Sequence, residues 1–222
     1  MNEFGFKFAG AALSAMPSGA LWWADQSALI VSDLHLGKSG RIARVGGLML
    51  PPYETSDTLM RLGRDIESTG AGLVICLGDS FDDPAASAEL DEDTHGWIAR
   101  LQAGREWIWV EGNHDPGALG LGGSYRHEVS RGGLTFRHIA DANAVAEVSG
   151  HYHPKARIGG VTKPCFLIDA HRIIMPAYGT YTGGLRCNSG PLLGLMGADA
   201  LAVLTGVRCI PAPMPGRSRA SA

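Results

Sequence analysis

Three short apolar runs in the first half of the chain each lead into a group of polar residues. The runs and the groups that follow them are 28–31 with Asp33-Leu34-His35, 73–77 with Gly78-Asp79, and 106–110 with Gly112-Asn113-His114-Asp115. Short apolar runs are typical of buried strands, and strands deliver their last side chains to the carboxyl edge of a sheet, where open α/β folds bind ligands. The pattern therefore predicts an α/β fold with a functional site at one edge of a sheet.

The segments between these runs predict helices. Residues 54–69 repeat leucine and isoleucine on one face and are followed by Gly70, a common helix stop, and residues 89–101 predict a second helix. Strands that alternate with helices are normally parallel. After residue 115 the chain changes to short stretches broken by glycine, which predict further strands at 134–136, 144–148, 165–168, 173–175 and 201–204. We expect a mixed sheet, or two packed sheets with helices outside.

Composition limits the class of protein. A chain of 222 residues that is 45% hydrophobic predicts one compact domain, here residues 1–210, followed by a flexible tail at 211–222 that is rich in Pro, Ser and Arg. The formal charge of −3 argues against a broad positive surface for nucleic acid, although a local basic patch remains open.

Cysteine spacing and the apolar segments bear on location. The four cysteines are widely spaced without a Cys-x-x-Cys pair, so we expect reduced thiols. The first residues do not resemble a secretory leader, and no run approaches the ~20 apolar residues of a membrane span. These features predict a cytoplasmic protein with no membrane partner.

Two pairs of side chains have the spacing of metal ligands. Asp33 and His35 are separated by one residue, as are His151 and His153, so on an extended backbone each pair projects to one side and can grip one ion. Each piece also has an ordinary explanation, because Asp-x-His at a strand end can be a simple turn and the histidine pair can be an exposed loop. Asp79 could likewise be a turn former or a helix cap.

The fragment 112–114 and His138 can be only partly explained as ordinary turn or structural residues. Turn chemistry explains Gly112 and Asn113 but leaves His114 unexplained. A lone histidine at a strand end, such as His138, is more often a structural residue than a ligand, and His171 is its rival for the same role.

Together the fragments resemble the calcineurin-like metallophosphoesterases. The matching pieces are Asp33 with His35, Gly78-Asp79-Ser80-Phe81-Asp82, Gly112 to Asp115, His138, and Gly150-His151-Tyr152-His153. The resemblance implies a four-layer α-β-β-α sandwich with mixed sheets and two divalent metal ions. It also implies two ligand sets, namely Asp33, His35, Asp79 and His153 for the first ion, and Asp79, Asn113, His138 and His151 for the second, with Asp79 shared.

The donor chemistry agrees with this resemblance. Imidazole, carboxylate and amide donors without a thiolate suit manganese, iron, zinc or nickel, and we expect manganese. Two such ions would acidify a water between them, so the predicted reaction is hydrolysis by a metal-bridging hydroxide. We expect His114 to protonate the leaving group or to contact a phosphoryl oxygen, and Asp115 to orient the His114 ring. Asp82 is a candidate for supporting the ligands.

A closer resemblance covers nearly the whole chain. Residues 33–38, 50–55 and 176–185 look like the bacterial PdeM-type phosphoesterases, described as ligase-associated DNA damage response endonucleases. That resemblance implies a phosphodiester substrate, in DNA repair alongside a DNA ligase, an exonuclease and a helicase. Lys38 and Arg41 are then candidates for binding a flanking phosphate, or are ordinary solvated side chains. Residues 176–185 are either a loop beside the substrate or a packed connection.

Two other functions remain open at this point. One is a nucleotide or small-molecule phosphoesterase, which would use the same metal chemistry on a smaller substrate. The other is a non-catalytic scaffold for protein contacts. The presence of His114 and of every matching ligand position argues against the scaffold.

Overall fold

Two β-sheets face each other, with helices on both outer sides. The structure, a computed structural model, describes residues 2–44, 46, 51, 53–88, 90–115, 117 and 120–216. The strands are β1 (Phe4–Phe8), β2 (Ala11–Ala15), β3 (Leu21–Trp23), β4 (Ala28–Val31), β5 (Leu73–Leu77), β6 (Glu106–Val110), β7 (Ser124–Arg126), β8 (Glu128–Arg131), β9 (Leu134–Arg137), β10 (Glu147–Ser149), β11 (Lys155–Ile158), β12 (Val161–Ile168), β13 (Arg172–Ile174), β14 (Leu201–Leu204) and β15 (Ile210–Pro213). The helices are α1 (Lys38–Arg44), α2 (Glu54–Thr69), α3 (Pro84–Ala88), α4 (Glu92–Gln102) and α5 (Gly190–Leu195).

Both sheets are mixed. The first runs in the order β1-β2-β3-β4-β5-β6-β7, with β1 to β4 antiparallel and β4 to β7 parallel. The second runs in the order β15-β14-β12-β13-β10-β9-β8, with β11 paired to β12. In the second sheet, β10 is parallel to both β9 and β13. The polar loops named in the sequence analysis follow β4, β5 and β6 of the first sheet and β9 and β10 of the second.

The central parallel strands β4 and β5, and β6 after Glu106, are buried on both faces, which explains why their sequences are continuous apolar runs. Along β4, Ile30 faces the core between the sheets, whereas Leu29 and Val31 face the helices. On β6 the same alternation sends Ile108 inward and Trp109 outward. Trp109 is buried, so the tryptophans of this strand pack the core.

Helices complete the outer layers. Leu59, Leu62 and Ile66 of α2 pack on the first sheet, and α2 ends at Gly70, whose φ of +66° forms the left-handed cap expected of glycine. Leu192 of α5 packs on the opposite side, against the second sheet. The predicted α-β-β-α sandwich with mixed sheets is confirmed.

Two expectations about element bounds were wrong. The second helix begins at Glu92 and not at residue 89, because the Asp91 carboxylate caps it by accepting a hydrogen bond from the Thr94 amide at 2.7 Å; residue 89 lies outside the described residues. Residues 211–213, predicted to lie in a flexible tail, pair with β14 as part of β15, and Met214 is buried. An edge strand tolerates prolines such as Pro211 and Pro213, although the same residues are typical of a tail. Residues 217–222 lie outside the described part of the chain.

One negative finding concerns membranes. Within the described residues, none of the helices combines the length and the apolar character needed to cross a bilayer.

Candidate metal centre

Six polar side chains meet where β4, β5, β9 and β10 end. They form two groups, in each of which the potential ligand atoms lie within 4.8 Å of one another. The first ligand group is Asp33, His35 and His153, and the second ligand group is Asp79, His138 and His151. Residues separated by up to 120 positions thus converge at one edge of the sandwich, as the strand-end pattern predicts.

The first ligand group is tight and buried. His153 Nε2 lies 3.0 Å from Asp33 Oδ1 and 3.4 Å from His35 Nε2. The other ring nitrogen of His35, Nδ1, lies 2.8 Å from Asp82 Oδ1. A carboxylate behind an imidazole turns the opposite nitrogen toward a metal and raises its basicity. Asp82 therefore has the supporting position expected of it.

The second ligand group is centred on His138. Its Nε2 lies 3.3 Å from Asp79 Oδ2, 3.3 Å from His151 Nδ1 and 2.9 Å from Asn113 Oδ1. Its Nδ1 lies 2.8 Å from the carbonyl oxygen of Leu77, which holds the ring with Nε2 facing the group. The structure places His138 in this group, whereas the rival His171 is exposed in the turn before β13.

The two groups adjoin each other. The backbone N–H of His151 donates to Asp33 Oδ2 at 3.0 Å, and His138 Nδ1 lies 3.9 Å from Asp33 Oδ1. The Asp79 carboxylate sits with the second group, where its Oδ1 accepts the His114 backbone N–H at 2.9 Å. That Asp79 is also shared with the first group stays a prediction.

The backbone of these loops is left-handed at most of the ligand positions. Positive φ angles occur at Asp33 (+53°), His35 (+45°), Asp79 (+46°), His151 (+69°) and His153 (+45°). Residues other than glycine rarely adopt this conformation, and it concentrates at functional sites where surrounding contacts enforce it. The loops are thus shaped to present these side chains.

Two glycines explain how the loops approach so closely. A Cβ atom at Gly112 would overlap the backbone nitrogen and Oδ1 of Asp79, and one at Gly150 would overlap Ser32 Oγ. Glycine is required at both positions by space and not by its own φ. This accounts physically for the glycines that precede Asn113 and His151.

The electrostatics favour positive charge at this edge. Burial raises the pKa of Asp79, but the hydrogen bond and charge of His138 outweigh it and lower that pKa to about 2. Burial lowers the pKa of His138, yet Asp79 and Asp33 raise it to about 9. The Asp33 pKa is lowered as well, by His153 and His138 against the effect of burial. Ionised carboxylates beside imidazoles, with no thiolate, form a donor set that fits divalent metal ions.

His114 lies outside both ligand groups but beside each. Its ring centroid is 5.5 Å from that of His35, and its Nε2 is 4.0 Å from Asp79 Oδ2. Its Nδ1 lies 2.9 Å from the carbonyl oxygen of Asp82, and 37% of the side chain is exposed. The ring therefore has a fixed orientation and access to solvent, as an acid or hydrogen-bond donor toward a bound substrate needs.

The expected role of Asp115 was wrong. Its Oδ2 accepts the backbone N–H groups of Ser80 at 2.6 Å and Phe81 at 3.1 Å, and its Oδ1 accepts that of Gly112 at 3.1 Å. These bonds tie the Asp79 loop to the Asn113 loop and leave the His114 ring to the Asp82 carbonyl oxygen. Burial raises the pKa of Asp115 to about 6 although its amide bonds lower it. Asp115 is a structural anchor of the loops.

The predicted phosphate contacts lie on the side of the first ligand group. Lys38 Nζ is 3.1 Å from Asp82 Oδ1, and Arg41 Nη1 is 3.2 Å from Asp82 Oδ2. Burial raises the pKa of Asp82, but the hydrogen bonds and charges of His35 and Lys38 outweigh it and lower that pKa. Both cations are thus positioned next to the site, and their role toward a substrate stays a prediction.

Part of the segment 176–185 is a packed support. The Tyr178 N–H donates to the Ser32 carbonyl at 2.7 Å, and the Gly179 N–H donates to the Asp33 carbonyl at 3.0 Å. The Tyr178 hydroxyl is buried and donates to Asp65 Oδ2 at 2.8 Å. These contacts brace the Asp33 loop against α2. This part of the segment fits the packed connection that the sequence allowed, although Asp65, 113 positions away, could not be named as the partner of Tyr178.

The comparisons with known proteins agree with this geometry. The chain matches the family model described as calcineurin-like phosphoesterase over residues 27–187. The chain belongs to this family. It is also similar to the crystal structure of the Pseudomonas putida nuclease MPE, with 27% sequence identity, a TM-score of 0.75, and coverage of 95% of this chain and 100% of that chain. No curated protein sequence matches it.

Family membership and the two ligand groups define the enzyme class. The protein is a metal-dependent phosphoesterase, and its two ligand groups imply divalent metal ions. The superfamily predicted from the motifs is confirmed.

Proposed function

We propose that this phosphoesterase cleaves phosphodiester bonds in DNA, as a nuclease of DNA repair. The observation that carries the proposal is the adjacency of two ligand groups, each with one carboxylate and two imidazoles, beside an accessible His114. The likeness to a Pseudomonas putida nuclease over nearly the whole chain supports the choice of nucleic acid.

The proposed ligands divide between two ions. Asp33, His35 and His153 would hold the first, and Asn113, His138 and His151 the second, with Asp79 between them. When bound, two divalent ions supply Lewis acidity that activates water at neutral pH and neutralises charge on the phosphoryl group.

The remaining chemistry falls to residues of the chain. His114 Nε2 faces the same edge as Asp79 Oδ2 and would donate a proton to the departing alkoxide oxygen. The Asp82 carbonyl oxygen keeps that ring oriented through Nδ1. Lys38 and Arg41 would bind a flanking phosphate, partly released from Asp82.

The finer parts of the proposal concern metal and setting. We take manganese as the working metal, because the mixed oxygen and nitrogen donors suit it, with iron, zinc and nickel as the alternatives. By the sequence resemblance, the enzyme would act in the cytoplasm with a DNA ligase, an exonuclease and a helicase.

The test uses metal-stripped protein. Activity is measured with each metal added back, on bis(p-nitrophenyl) phosphate, on p-nitrophenyl phosphate, and on nicked and single-stranded DNA. We expect manganese to restore diester hydrolysis over monoester hydrolysis and to restore cleavage of DNA. Diester hydrolysis without DNA cleavage would contradict the nuclease proposal.

A nucleotide or small-molecule phosphoesterase is the second candidate. It is favoured by the formal charge of −3 and by the size of the cavity next to Asn113 and His138, about 310 Å³, which is at the small end of ligand sites. The same panel of substrates separates the two candidates.

A further inference from the structure

A cavity of about 310 Å³ opens directly beside the second ligand group. Asn113 and the buried His138 form one wall, and Ile139, whose side chain is 45% exposed, contributes an apolar surface. Glu111 and Glu128 also line the cavity. A substrate held at the ligand groups would therefore extend one of its two ester arms into this space.

The cavity wall carries two carboxylates, Glu111 and Glu128, together with the guanidinium of Arg137 and the imidazole of His127. Arg137 already lies 3.0 Å from Glu128 Oε2, and behind the wall it lies 3.4 Å from Asp141 Oδ2 and 3.5 Å from Glu147 Oε2. Glu111 Oε2 lies 3.8 Å from His127 Nδ1. The nearby guanidinium of Arg172 is buried and donates to the carbonyl oxygens of two alanines in the 138–146 loop. The one guanidinium in the wall is thus already occupied by carboxylates, and a phosphate that entered this cavity would meet Glu111 and Glu128.

The opposite side of the site carries more cations. Lys38 and Arg41 flank Asp82 behind His35, and Arg44 lies 2.8 Å from Asp83. These three cations lie among three carboxylates, Asp82, Asp83 and the buried Glu54, which accepts the Ser39 N–H. The two arms of a bound phosphodiester would thus lie in different electrostatic surroundings, with a lysine and two arginines on one side and a single, paired arginine on the other.

We infer that the cavity beside Asn113 and His138 is a subsite for a single terminal nucleoside, and that Glu111 and Glu128 exclude a further phosphate from it. The inference rests on the proposed function and adds to it a preference for the end of a strand. Ile139 offers apolar contact to a base or sugar, while the two glutamates accept hydrogen bonds from sugar hydroxyls or base amino groups. The cavity, at about 310 Å³, is large enough for one nucleoside.

The experiment compares three small substrates with the manganese-loaded full chain. They are the dinucleoside monophosphate TpT and the same compound with an additional 5′ phosphate or an additional 3′ phosphate, with cleavage of the internal diester as the readout. In the parent protein we expect one of the two added phosphates, and not the other, to lower kcat/KM by roughly fivefold or more. One repulsion between like charges a few ångströms apart in water has an effect of about this size.

Two charge-neutral variants then test the residues. Glu111→Gln and Glu128→Gln should each reduce that discrimination, and so should added salt, which screens charges on the rim. Glu111→Gln leaves the contacts of Arg137 intact, so it remains informative if Glu128→Gln disturbs folding. The matched control is Glu92→Gln, an exposed glutamate in the first turn of α4, which should discriminate as the parent does.

The other outcomes overturn the inference. It is wrong if neither added phosphate slows cleavage, if both slow it equally, or if the discrimination is unchanged in both glutamate variants. It is also wrong if the thymidine 5′- and 3′-(p-nitrophenyl) phosphodiesters are both hydrolysed no better than bis(p-nitrophenyl) phosphate, since all three share one leaving group and only the first two carry a nucleoside. Absence of all diester hydrolysis would reject the proposed function itself, and the inference with it.

Discussion

The two ligand groups use the same residue types but are supported differently. In the first, His35 is backed by the Asp82 carboxylate, and the Asp33 carboxylate is fully buried. In the second, His138 is backed by the neutral carbonyl oxygen of Leu77, and Asn113 is exposed. A charged partner strengthens an imidazole ligand more than a neutral one does. We therefore expect the first group to hold its ion more tightly than the second.

The largest effect is expected for Asp79→Asn, which tests whether the two ligand groups share the Asp79 carboxylate. Asp79→Asn should remove the carboxylate proposed to serve both ions and lower diesterase activity by about three orders of magnitude or more, since each ion contributes several kcal/mol to the transition state. Metal content per chain, measured by inductively coupled plasma mass spectrometry, should fall well below two. Asp33→Asn is the comparison, and it should lower occupancy of the first group alone. Equal metal content in the two variants would contradict the proposal that Asp79 serves both ions and Asp33 only the first.

His114→Asn addresses a residue that lies beside both groups and belongs to neither. We expect nearly full metal content but a loss of about 10²-fold on an alkyl phosphodiester, because the leaving alkoxide needs a proton. On bis(p-nitrophenyl) phosphate, whose leaving group is a weak base, the loss should be much smaller. Parent-like rates on the alkyl diester would exclude the proton-donor role.

Asp82→Asn tests whether the charged partner of His35 makes the first ligand group bind its ion more tightly than the second. Removing the charge behind His35 should weaken metal binding at the first group by about 10- to 100-fold, read as the manganese concentration needed for half-maximal activity. Asp83→Asn is the matched control, since this neighbouring carboxylate pairs with Arg44 and is absent from both ligand groups. A shift of equal size in the control would attribute the effect to the basic helix α1.

The smallest effect is expected on stability, from loss of the hydrogen bond between Tyr178 and Asp65 that supports the Asp33 loop. Tyr178→Phe removes the hydroxyl that donates to Asp65, so the free energy of unfolding should fall by about 1 kcal/mol. Tyr53→Phe, which removes an exposed hydroxyl from the start of α2, should leave stability unchanged in the same urea titration. If both variants are as stable as the parent, the Tyr178 hydroxyl contributes nothing to the brace.

Much of this arrangement could be predicted from sequence because it depends on local pattern. The strands β4, β5 and most of β6 are continuous apolar runs, and α2 repeats Leu59, Leu62 and Ile66 on one face before Gly70. Asp33, His35, Asp79 and Asn113 follow those strands directly, so the strand ends locate these candidate ligands. His138, His151 and His153 were named only through the resemblance to the metallophosphoesterases.

What could not be predicted depends on contacts between distant segments. Asp115 was assigned to the His114 ring because the two are adjacent in sequence, yet its oxygens bond to amides near residue 80, which only the folded loops bring close. The brace by Tyr178 and the Leu77 carbonyl behind His138 are of the same kind. The strands β1 to β3 were also missed, although the alternation of Phe4, Phe6 and Phe8 is a signal for a strand.

The left-handed backbone at five ligand residues has a consequence for protein engineering. Copying these aspartates and histidines onto another α/β scaffold would not recreate the centre, because ordinary strand-to-helix loops aim the side chains elsewhere. A successful graft has to carry whole loops, together with the glycines that let them touch and the Asp115 anchor that joins two of them. To transfer this site, the backbone conformations of its loops have to be copied first and the side chains placed on them afterwards.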